Sequence, residues 1–408
     1  MGRRTELGLI SLGHASIHWY NQIFFVLLPF LVVEFDVSYT QAGFLATAKT
    51  LGSAVLNAPG SALIDYFGKR RLAMGLALVW AGFCYLAISL APSYWMVAVC
   101  FTIIALAGVL WHAPAMATLS ERWSDRRGMA LSAHEVGANI GDTLAPLAVG
   151  ALLSVMYWRD VVQINTVIGV ILGFGLLFLL KETSRSPSEP RPVAGGSGKN
   201  RMEWSEYVAG VKGLLKNTVL LRLAMISSFR SMGQIGLMTS LPLYITFGLG
   251  IDDSAVMGLY LTLLTGASLI GGPVLGTASD YLGRRPIMVG GLVIAGTMAV
   301  LLTQVPAGFA FIAVLVLLGT VLFSIRPVIM ANALDVTPNH LGASVIGIMF
   351  TIQAAFSSAS PVLVGWVGDT FHIGAGFYVV GGLILVSSLI ALTIPRSTDV
   401  PSPGEAST

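Results

Sequence analysis

Asp280–Arg285 reads DYLGRR, and Asp65–Arg70 reads DYFGKR, so one short motif occurs twice at an offset of 215 residues. Each copy follows a long apolar run and ends in two basic residues. Similarity within one chain at a fixed distance indicates that a structural unit has been duplicated. The duplication extends beyond this loop, because Pro146 recurs as Pro361 at the same offset. We therefore treat the chain as two halves of one design.

The composition indicates that lipid surrounds most of the chain. Of the 408 residues, 55% are hydrophobic and only 11% are charged. An ordinary soluble domain carries about 25% charged residues. Apolar runs of about 20 residues, the length that crosses a bilayer as a helix, follow one another along the sequence. These properties predict an all-α membrane protein embedded in a lipid bilayer, with no nucleic-acid partner.

We predict twelve transmembrane helices in two pseudo-symmetric six-helix bundles, an architecture of transporters whose substrate site lies between the repeats. The spans lie at roughly 8–34, 40–64, 72–91, 94–119, 128–155, 161–180, 219–246, 254–278, 286–304, 308–334, 342–367 and 374–395. The expected parts are an N-terminal bundle at 1–180, a cytoplasmic linker with an amphipathic helix at 181–217, a C-terminal bundle at 218–395 and a disordered cytoplasmic tail at 396–408.

The positions of the basic residues predict the orientation, since Lys and Arg are retained on the cytoplasmic side of a membrane. If the N-terminus lies in the cytoplasm, the loops on the outer side of the membrane contain only one cation, Arg159. The inner loops receive many more, namely Arg3, Arg4, Lys69, Arg70, Arg71, Arg122, Arg126, Arg127, Arg284 and Arg285. We expect both termini in the cytoplasm and a multi-pass protein of the bacterial inner membrane.

The duplicated loop carries a resemblance to a known family. GTASDYLGRRP, Gly276–Pro286, resembles the signature that joins helices 2 and 3, and again helices 8 and 9, in the major facilitator superfamily. The first copy has Ser61 where the family usually has glycine. The resemblance covers nearly the whole chain and implies the twelve-helix transporter fold of that family.

Narrower similarities imply export. The segments SLGHASIHWYN, WHAP and SAHEVGANIGDTLAPL resemble bacterial fosmidomycin-resistance-type efflux proteins. The stretch from Gly137 to Gly150 is similar to a helix 5 motif associated with proton-driven exporters, with Ala145 and Val149 in place of glycines. These resemblances imply a proton-coupled exporter that needs no cofactor.

Helix 5 carries the candidate proton-coupling residues. At about 100° per residue, Glu135, Asn139 and Asp142 share one face of a helix. A carboxylate within a membrane span is energetically costly and is usually functional. We predict Glu135 as the proton carrier, with His134 and Asp142 as further proton-coupling residues, because imidazole titrates near physiological pH. The alternatives are a hydrogen-bonded interior histidine and an Asp142 that pairs with Arg or Lys.

The candidate substrate site lies on helices 1, 4, 7 and 10, which line the cavity if the resemblance holds. Its predicted residues are His14, His18, Asn21, His112, Arg230, Gln234 and Arg326. A guanidinium group keeps its proton and matches a carboxylate, phosphate or phosphonate with two parallel hydrogen bonds. We therefore predict that Arg230 and Arg326 bind an anion. The alternative is a permanent partner, Asp142 for Arg230 or Asp335 for Arg326.

A second group of charges belongs to the duplicated loop. We predict that the carboxylates and cations of both copies form a latch between helices that breaks when the cavity changes sides. Its members are Asp65, Arg70, Asp280, Arg284 and Arg285. The alternative is that these cations only fix the topology. A separate cation, Lys49 of helix 2, is expected to extend outward to Glu34 or Asp36.

Together these features predict a proton antiporter that exports a small organic anion or anionic drug by alternating access. It is expected to be a monomer and not an enzyme, with protons and a small-molecule anionic substrate as its partners and no bound metal. A proton-coupled importer of a carboxylate would use the same residues. A metal or metal-chelate transporter would use His14 and His18, which lie four residues apart. A lipid translocase and a sensor without transport also stay open.

Overall fold

The computed structural model describes residues 2–181, 213, 214, 216–337 and 342–395, with the side chains of 57–59, 61–67 and 342–344 left undescribed. All regular secondary structure in the described residues is helical. The predicted tail at 396–408 and most of the predicted linker at 181–217 lie outside these residues. The amphipathic helix of the linker therefore stays a prediction.

Fifteen α-helices have both ends in the described residues. They are α1 (Arg3–Phe35), α2 (Tyr39–Phe67), α3 (Arg70–Ser89), α4 (Tyr94–Ile103), α5 (Ala105–Arg122), α6 (Arg127–Leu153), α7 (Trp158–Leu179), α8 (Thr218–Leu243), α9 (Ser254–Gly266), α10 (Ser268–Leu282), α11 (Arg284–Leu301), α12 (Phe309–Asp335), α13 (Gly342–Ser357), α14 (Ser360–Thr370) and α15 (Gly376–Ala391). The pairs α4–α5, α9–α10 and α13–α14 are each interrupted by only one or two residues. The fifteen helices thus form twelve spans, and the predicted fold class is confirmed.

Most of these spans are recognisable by length and composition alone. Ten helical stretches of the described chain are long and apolar enough to cross a membrane. The remaining two spans, α2 and α8, carry the cations Lys49 and Arg230 within their lengths. These two cations are therefore the ones whose surroundings most need explanation.

The chain forms two compact units that do not coincide with the halves of the sequence. Unit 1 comprises Met1–Glu189, Met238–Gly266 and Pro361–Gly376. Unit 2 comprises Pro190–Leu237, Ala267–Ser360 and Phe377–Thr408. The predicted bundles at 1–180 and 218–395 follow the duplication of the sequence and stay a prediction. Each unit is described below by itself.

The glycine of the duplicated motif ends a helix in both copies. Gly68 follows α2 with a φ of 64°, and Gly283 follows α10 with a φ of 90°. Residues with a Cβ atom rarely adopt positive φ, so glycine is the usual residue where the chain leaves a helix in this way. The motif therefore encodes a sharp turn from one membrane span into the next.

Glycine pairs bring equivalent helices close together in both units. In unit 1, a Cβ atom added to Gly75 of α3 would lie 3.1 Å from the carbonyl oxygen of Gly173 of α7. In unit 2, a Cβ atom added to Gly296 of α11 would lie 3.1 Å from the carbonyl oxygen of Gly381 of α15. Small residues allow such close backbone contact, which stabilises helix association in lipid by van der Waals packing. The duplication is thus visible as packing as well as sequence.

The repeated proline motif marks two further helix crossings, both within unit 1. Gly258 of α9 packs on the carbonyl oxygen of Pro146 in α6. Gly43 of α2 packs on the carbonyl oxygen of Pro361 in α14. Gly43 and Gly258 are themselves separated by the same offset of 215 residues. Each crossing joins a helix of the first sequence half to a helix of the second.

A third close contact positions the polar residues of α1 and α6. Gly137 packs on the carbonyl oxygen of Ser11, and Gly141 packs on that of Ala15. The small residues of α6 thus admit a neighbouring helix at close range, and that neighbour is α1. Because the two backbones almost touch, His14 of α1 lies directly against α6.

Candidate functional site

Four of the six histidines of the chain gather at one place in unit 1. His14 stacks on His134 of α6, with ring centroids 3.7 Å apart and ring planes 6° apart. The ring centroid of His18 lies 4.7 Å from that of His14, and the centroid of His112 of α5 lies 5.3 Å from it. Three helices therefore contribute to one histidine cluster, defined here as His14, His18, His112 and His134.

Two of these rings have their tautomer fixed by carbonyl oxygens. The Nδ1 atom of His14 lies 2.8 Å from the carbonyl oxygen of His134. The Nδ1 atom of His112 lies 2.8 Å from the carbonyl oxygen of Gly108, one turn earlier on α5. A carbonyl oxygen can only accept a hydrogen bond, so Nδ1 carries the hydrogen in both neutral rings. The lone pair of each ring is then on Nε2.

His18 is oriented by a carboxylate in the same way. Its Nδ1 atom lies 2.9 Å from Oδ2 of Asp142, which also accepts a hydrogen bond at Oδ1 from Nε2 of Gln22 at 2.8 Å. Both carboxylate oxygens of Asp142 thus bond to side chains of α1. Gln22 was not predicted as a site residue. It lies four residues beyond His18, so the spacing of His14, His18 and Gln22 along one helix face would have indicated it.

The predicted proton-coupling residues differ in their surroundings. Glu135 is exposed and lies two turns before Asp142 on the same face of α6. His134 is buried, and neither of its ring nitrogens has a hydrogen-bond partner among the described residues. Trp111 of α5 is also buried and lies parallel to His14 and to His134, with centroids 6.5 Å away in both cases. The roles of Glu135, His134 and Asp142 in proton coupling stay predictions.

The expectation for Lys49 is wrong. Its Nζ atom lies over the rings of Phe24 and Phe25, at 4.7 Å and 5.7 Å from their centroids. Glu34, its expected partner, is bonded to Arg159 at 2.9 Å. An aromatic face attracts a cation, and this attraction is stronger where water is excluded. The side chain therefore points to the interior of unit 1, where the carboxylate of Asp142 also attracts it.

The cations of unit 2 form a second polar site. Arg230 of α8 is only 1% exposed. Its Nη1 atom donates to Oε1 of Gln234 at 2.6 Å and to the carbonyl oxygen of Leu322 at 3.3 Å. Its Nε atom has no acceptor among the described residues. Among the described residues, the guanidinium group of Arg230 is hydrogen-bonded to neutral oxygens only.

Arg326 of α12 is the second cation of this site. Its side chain is exposed, and its guanidinium carbon lies 6.0 Å from the ring centroid of Phe350. The two guanidinium groups of Arg230 and Arg326 are close enough to repel each other. Asp335, proposed above as an intramolecular partner for Arg326, pairs instead with Arg284 at 3.4 Å. Asn21, predicted to assist in substrate binding, is half-buried on α1.

The predicted latch residues form equivalent ion pairs in the two halves. Arg70 pairs with Glu121 at 2.7 Å, and Arg284 pairs with Asp335 at 3.4 Å. Each pair spans 51 residues of sequence. Arg284 also pairs with Asp280 at 2.5 Å. Arg70 and Arg284 thus tie the starts of α3 and α11 to the ends of α5 and α12, respectively.

The arginine that follows each of these two residues binds a backbone carbonyl. Arg71 donates to the carbonyl oxygen of Leu180, and Arg285 donates to that of Leu392. Both carbonyls lie just after the last helix of a half, where unpaired carbonyl groups favour a cation. The side chain of Asp65 lies outside the described residues. Whether these contacts break during transport stays a prediction.

The chain has the architecture of a membrane transporter, with twelve spans, a duplicated half and polar clusters within the membrane helices. A family model described as Major Facilitator Superfamily matches residues 10–361 and 252–407, which together cover almost the whole chain. The chain belongs to the Major Facilitator Superfamily. It is therefore a transporter, and the resemblance noted in the duplicated loop is confirmed.

Curated relatives and solved structures match over nearly the full length. The chain is 23% identical to the Fosmidomycin resistance protein of Escherichia coli (strain K12), over 94% of this chain and 91% of that protein. It is 26% identical to the Multidrug efflux pump Tap of Mycolicibacterium fortuitum, over 97% of each. Its fold is similar to that of a bacterial homologue of the human lysosomal transporter Spinster in an inward-facing, unoccupied conformation, with a TM-score of 0.80 at 15% identity, over 96% of this chain and 95% of that chain. It is also similar to the nucleoside transporter NupG, with a TM-score of 0.78 at 12% identity, over 95% and 99%.

Proposed function

We propose that this transporter is a proton-coupled exporter of small organic anions that works by alternating access. The observation that carries this proposal is Arg230, a buried cation whose described partners are neutral oxygens. A guanidinium group keeps its charge at physiological pH, and a buried charge without a counter-ion costs several kcal/mol. An anionic cargo supplies the missing charge. Arg326 is the second cation for the same anion.

The chemistry of the site favours a cargo with an anionic oxygen group. A guanidinium fork matches a carboxylate, phosphate or phosphonate with two parallel hydrogen bonds. Gln234 orients Arg230 by accepting from one of its nitrogens and leaves the others for the cargo. The cargo class is therefore a small anion, and not a large hydrophobic cation.

Glu135 is the proton carrier in this proposal. Its exposed carboxylate can exchange a proton with water, and its ionised form is costly wherever the helix passes into hydrocarbon. Binding of the anion and binding of the proton then alternate, so that a proton gradient drives the anion in the opposite direction. Export as the direction is supported by the two relatives that are named as a resistance protein and an efflux pump.

The proposed location is the inner membrane of a bacterium, with both termini in the cytoplasm. The support is the excess of Lys and Arg in alternate loops, which insertion retains on the cytoplasmic side. Arg70 and Arg284 then lie at the cytoplasmic face. The protein is proposed to act as a monomer, because one chain supplies both halves of the transport pathway.

A transport assay in inside-out vesicles tests the proposal. The vesicle lumen is acidic and contains a pH-sensitive dye, and phosphonates, carboxylates, cationic drugs or divalent metals are added outside. Addition of an anion is expected to raise the pH of the lumen in the wild type and not in Arg230→Gln or Arg326→Gln. Arg222→Gln is the matched control, because Arg222 is on the same helix but is exposed. A response to cations that survives Arg230→Gln would overturn the anion site.

A further inference from the structure

We propose that His14, His18 and His112 form a binding site for a divalent transition-metal ion such as Zn²⁺. One ring nitrogen from each of these residues lies within 4.8 Å of the other two. The three side chains come from α1 and α5, so the helices of unit 1 bring them together without any ligand. Metal binding here does not depend on the anion site, since Arg230 and Arg326 belong to unit 2.

The hydrogen bonds of the three rings leave the lone pair on Nε2, the atom that would bind a metal ion. Each Nδ1 atom is bonded to an oxygen, either the carbonyl oxygen of His134 or Gly108 or the carboxylate of Asp142. This arrangement keeps the lone pair on Nε2 in all three neutral rings. Metal-binding histidines are held in the same way, by a carbonyl or carboxylate bonded to the nitrogen that does not bind the metal. Helix packing alone does not require three neighbouring histidine rings to share this hydrogen-bond pattern.

His14 provides a second and independent observation. The residue is 2% exposed, and its Nε2 atom has no hydrogen-bond partner among the described residues. A buried polar atom without a partner is destabilising, and most such atoms in proteins are satisfied. Coordination of a metal ion by Nε2 would satisfy it. This unpaired Nε2 atom is also the one that carries the lone pair when the hydrogen of the His14 ring is on Nδ1.

The geometry allows the three nitrogens to converge. Zn²⁺ binds histidine nitrogen at about 2.0–2.1 Å, which places two nitrogens of a tetrahedral site about 3.3 Å apart. The present separations of up to 4.8 Å require a shift of roughly 1.5 Å at most. His18 is half-buried and His112 is exposed, so these two side chains can rotate toward the buried His14. Three nitrogen ligands leave the fourth position to water or to an anionic donor.

The ligand set also predicts selectivity. Neutral imidazole binds Zn²⁺, Co²⁺, Ni²⁺ and Cu²⁺, whereas Mg²⁺ and Ca²⁺ require oxygen ligands. The ring of His134 is not needed as a ligand, because its contribution is the backbone carbonyl bonded to His14. Asp142 acts as a positioning residue through His18.

A cobalt titration of the full-length protein tests this site. The protein is purified in detergent with an affinity tag that contains no histidine, treated with a chelator and titrated with Co²⁺. We expect visible d–d absorption of tetrahedral Co²⁺ that saturates at one ion per chain and disappears when Zn²⁺ is added. Mg²⁺ in large excess is expected to leave the absorption unchanged.

The variants identify the ligands. His14→Ala and His112→Ala are expected to abolish the absorption, and His372→Ala, which alters an exposed histidine outside the cluster, is expected to retain it. His112→Ala separates loss of a ligand from misfolding, because His112 is exposed and its replacement leaves no cavity in the protein interior. Asp142→Asn is expected to weaken the affinity roughly 10- to 100-fold without removing the site. Equal titrations of wild type and His112→Ala, or no tetrahedral signal in the wild type, would overturn the proposal.

Discussion

Asp369, near the end of α14, caps the first turn of α2 at Thr40. Its Oδ2 atom accepts the backbone N–H of Thr40 at 2.8 Å and the hydroxyl of the same residue at 2.5 Å. Its Oδ1 atom accepts the backbone N–H of Tyr39 at 2.8 Å. The first amide groups of a helix have no partner within the helix, and a carboxylate both satisfies them and complements the helix dipole. The contact joins residues 329 positions apart in the sequence.

Removal of this cap is expected to loosen the contact between α14 and α2. Loss of a side-chain cap costs about 0.5–2 kcal/mol. Asp369→Ala should therefore raise the population in which the two helices separate about 2- to 30-fold. The measurement is the alkylation rate of a cysteine placed at Ala42, a buried position of α2, in a chain that lacks Cys84 and Cys100. Asp252→Ala, at an exposed loop position, is the control, and an unchanged rate in Asp369→Ala would refute the cap.

Addition of one methyl group at Gly258 is expected to force α6 and α9 apart. The new Cβ atom would overlap the carbonyl oxygen of Pro146, which belongs to the backbone and cannot rotate away. Overpacking of this kind costs about 1–3 kcal/mol. Gly258→Ala should lower the thermal unfolding temperature in detergent and reduce transport. Gly272→Ala is the matched control, because an added Cβ there meets no atom within 4 Å.

Arg230 offers a test that separates a functional charge from a structural one. If its charge serves the cargo, the resting protein carries the cost of a buried cation. Arg230→Met should then raise the stability of the empty transporter by about 1–4 kcal/mol and abolish anion transport. The measurements are thermal unfolding without substrate and the vesicle assay. A fall in the unfolding temperature would show instead that Arg230 holds the fold together.

Glu135→Gln is expected to separate anion binding from proton coupling. The amide cannot release a proton, but Arg230 and Arg326 remain to bind the cargo. The variant should bind the anion, measured by quenching of tryptophan fluorescence, with an affinity within about threefold of wild type, since no contact with the anion is removed. It should give no proton movement in the vesicles. Glu135→Asp should restore part of the proton movement, and full proton coupling in Glu135→Gln would exclude this residue as the carrier.

The features that could be predicted from sequence are those that repeat or that depend on local patterns. The duplicated DYLGRR motif indicated the twelve spans, because apolar runs and a repeated loop leave few alternatives. Lys49 was placed wrongly, since the outward extension of a lysine is a local rule that takes no account of Phe24 and Phe25. The contact of His112 with His14 depends on the packing of α5 against α1, which no spacing within one helix contains. The partner of Asp369 was equally inaccessible, because nothing near it in the chain identifies Thr40.

The cap at Asp369 is also asymmetric with respect to mutation. Two of the groups that donate to it are backbone amides, which remain whatever side chain stands at Tyr39 or Thr40, proline excepted. A single codon change at Asp369 removes every acceptor at once. We therefore expect genetic drift to change Tyr39 and Thr40 more readily than Asp369, which purifying selection retains.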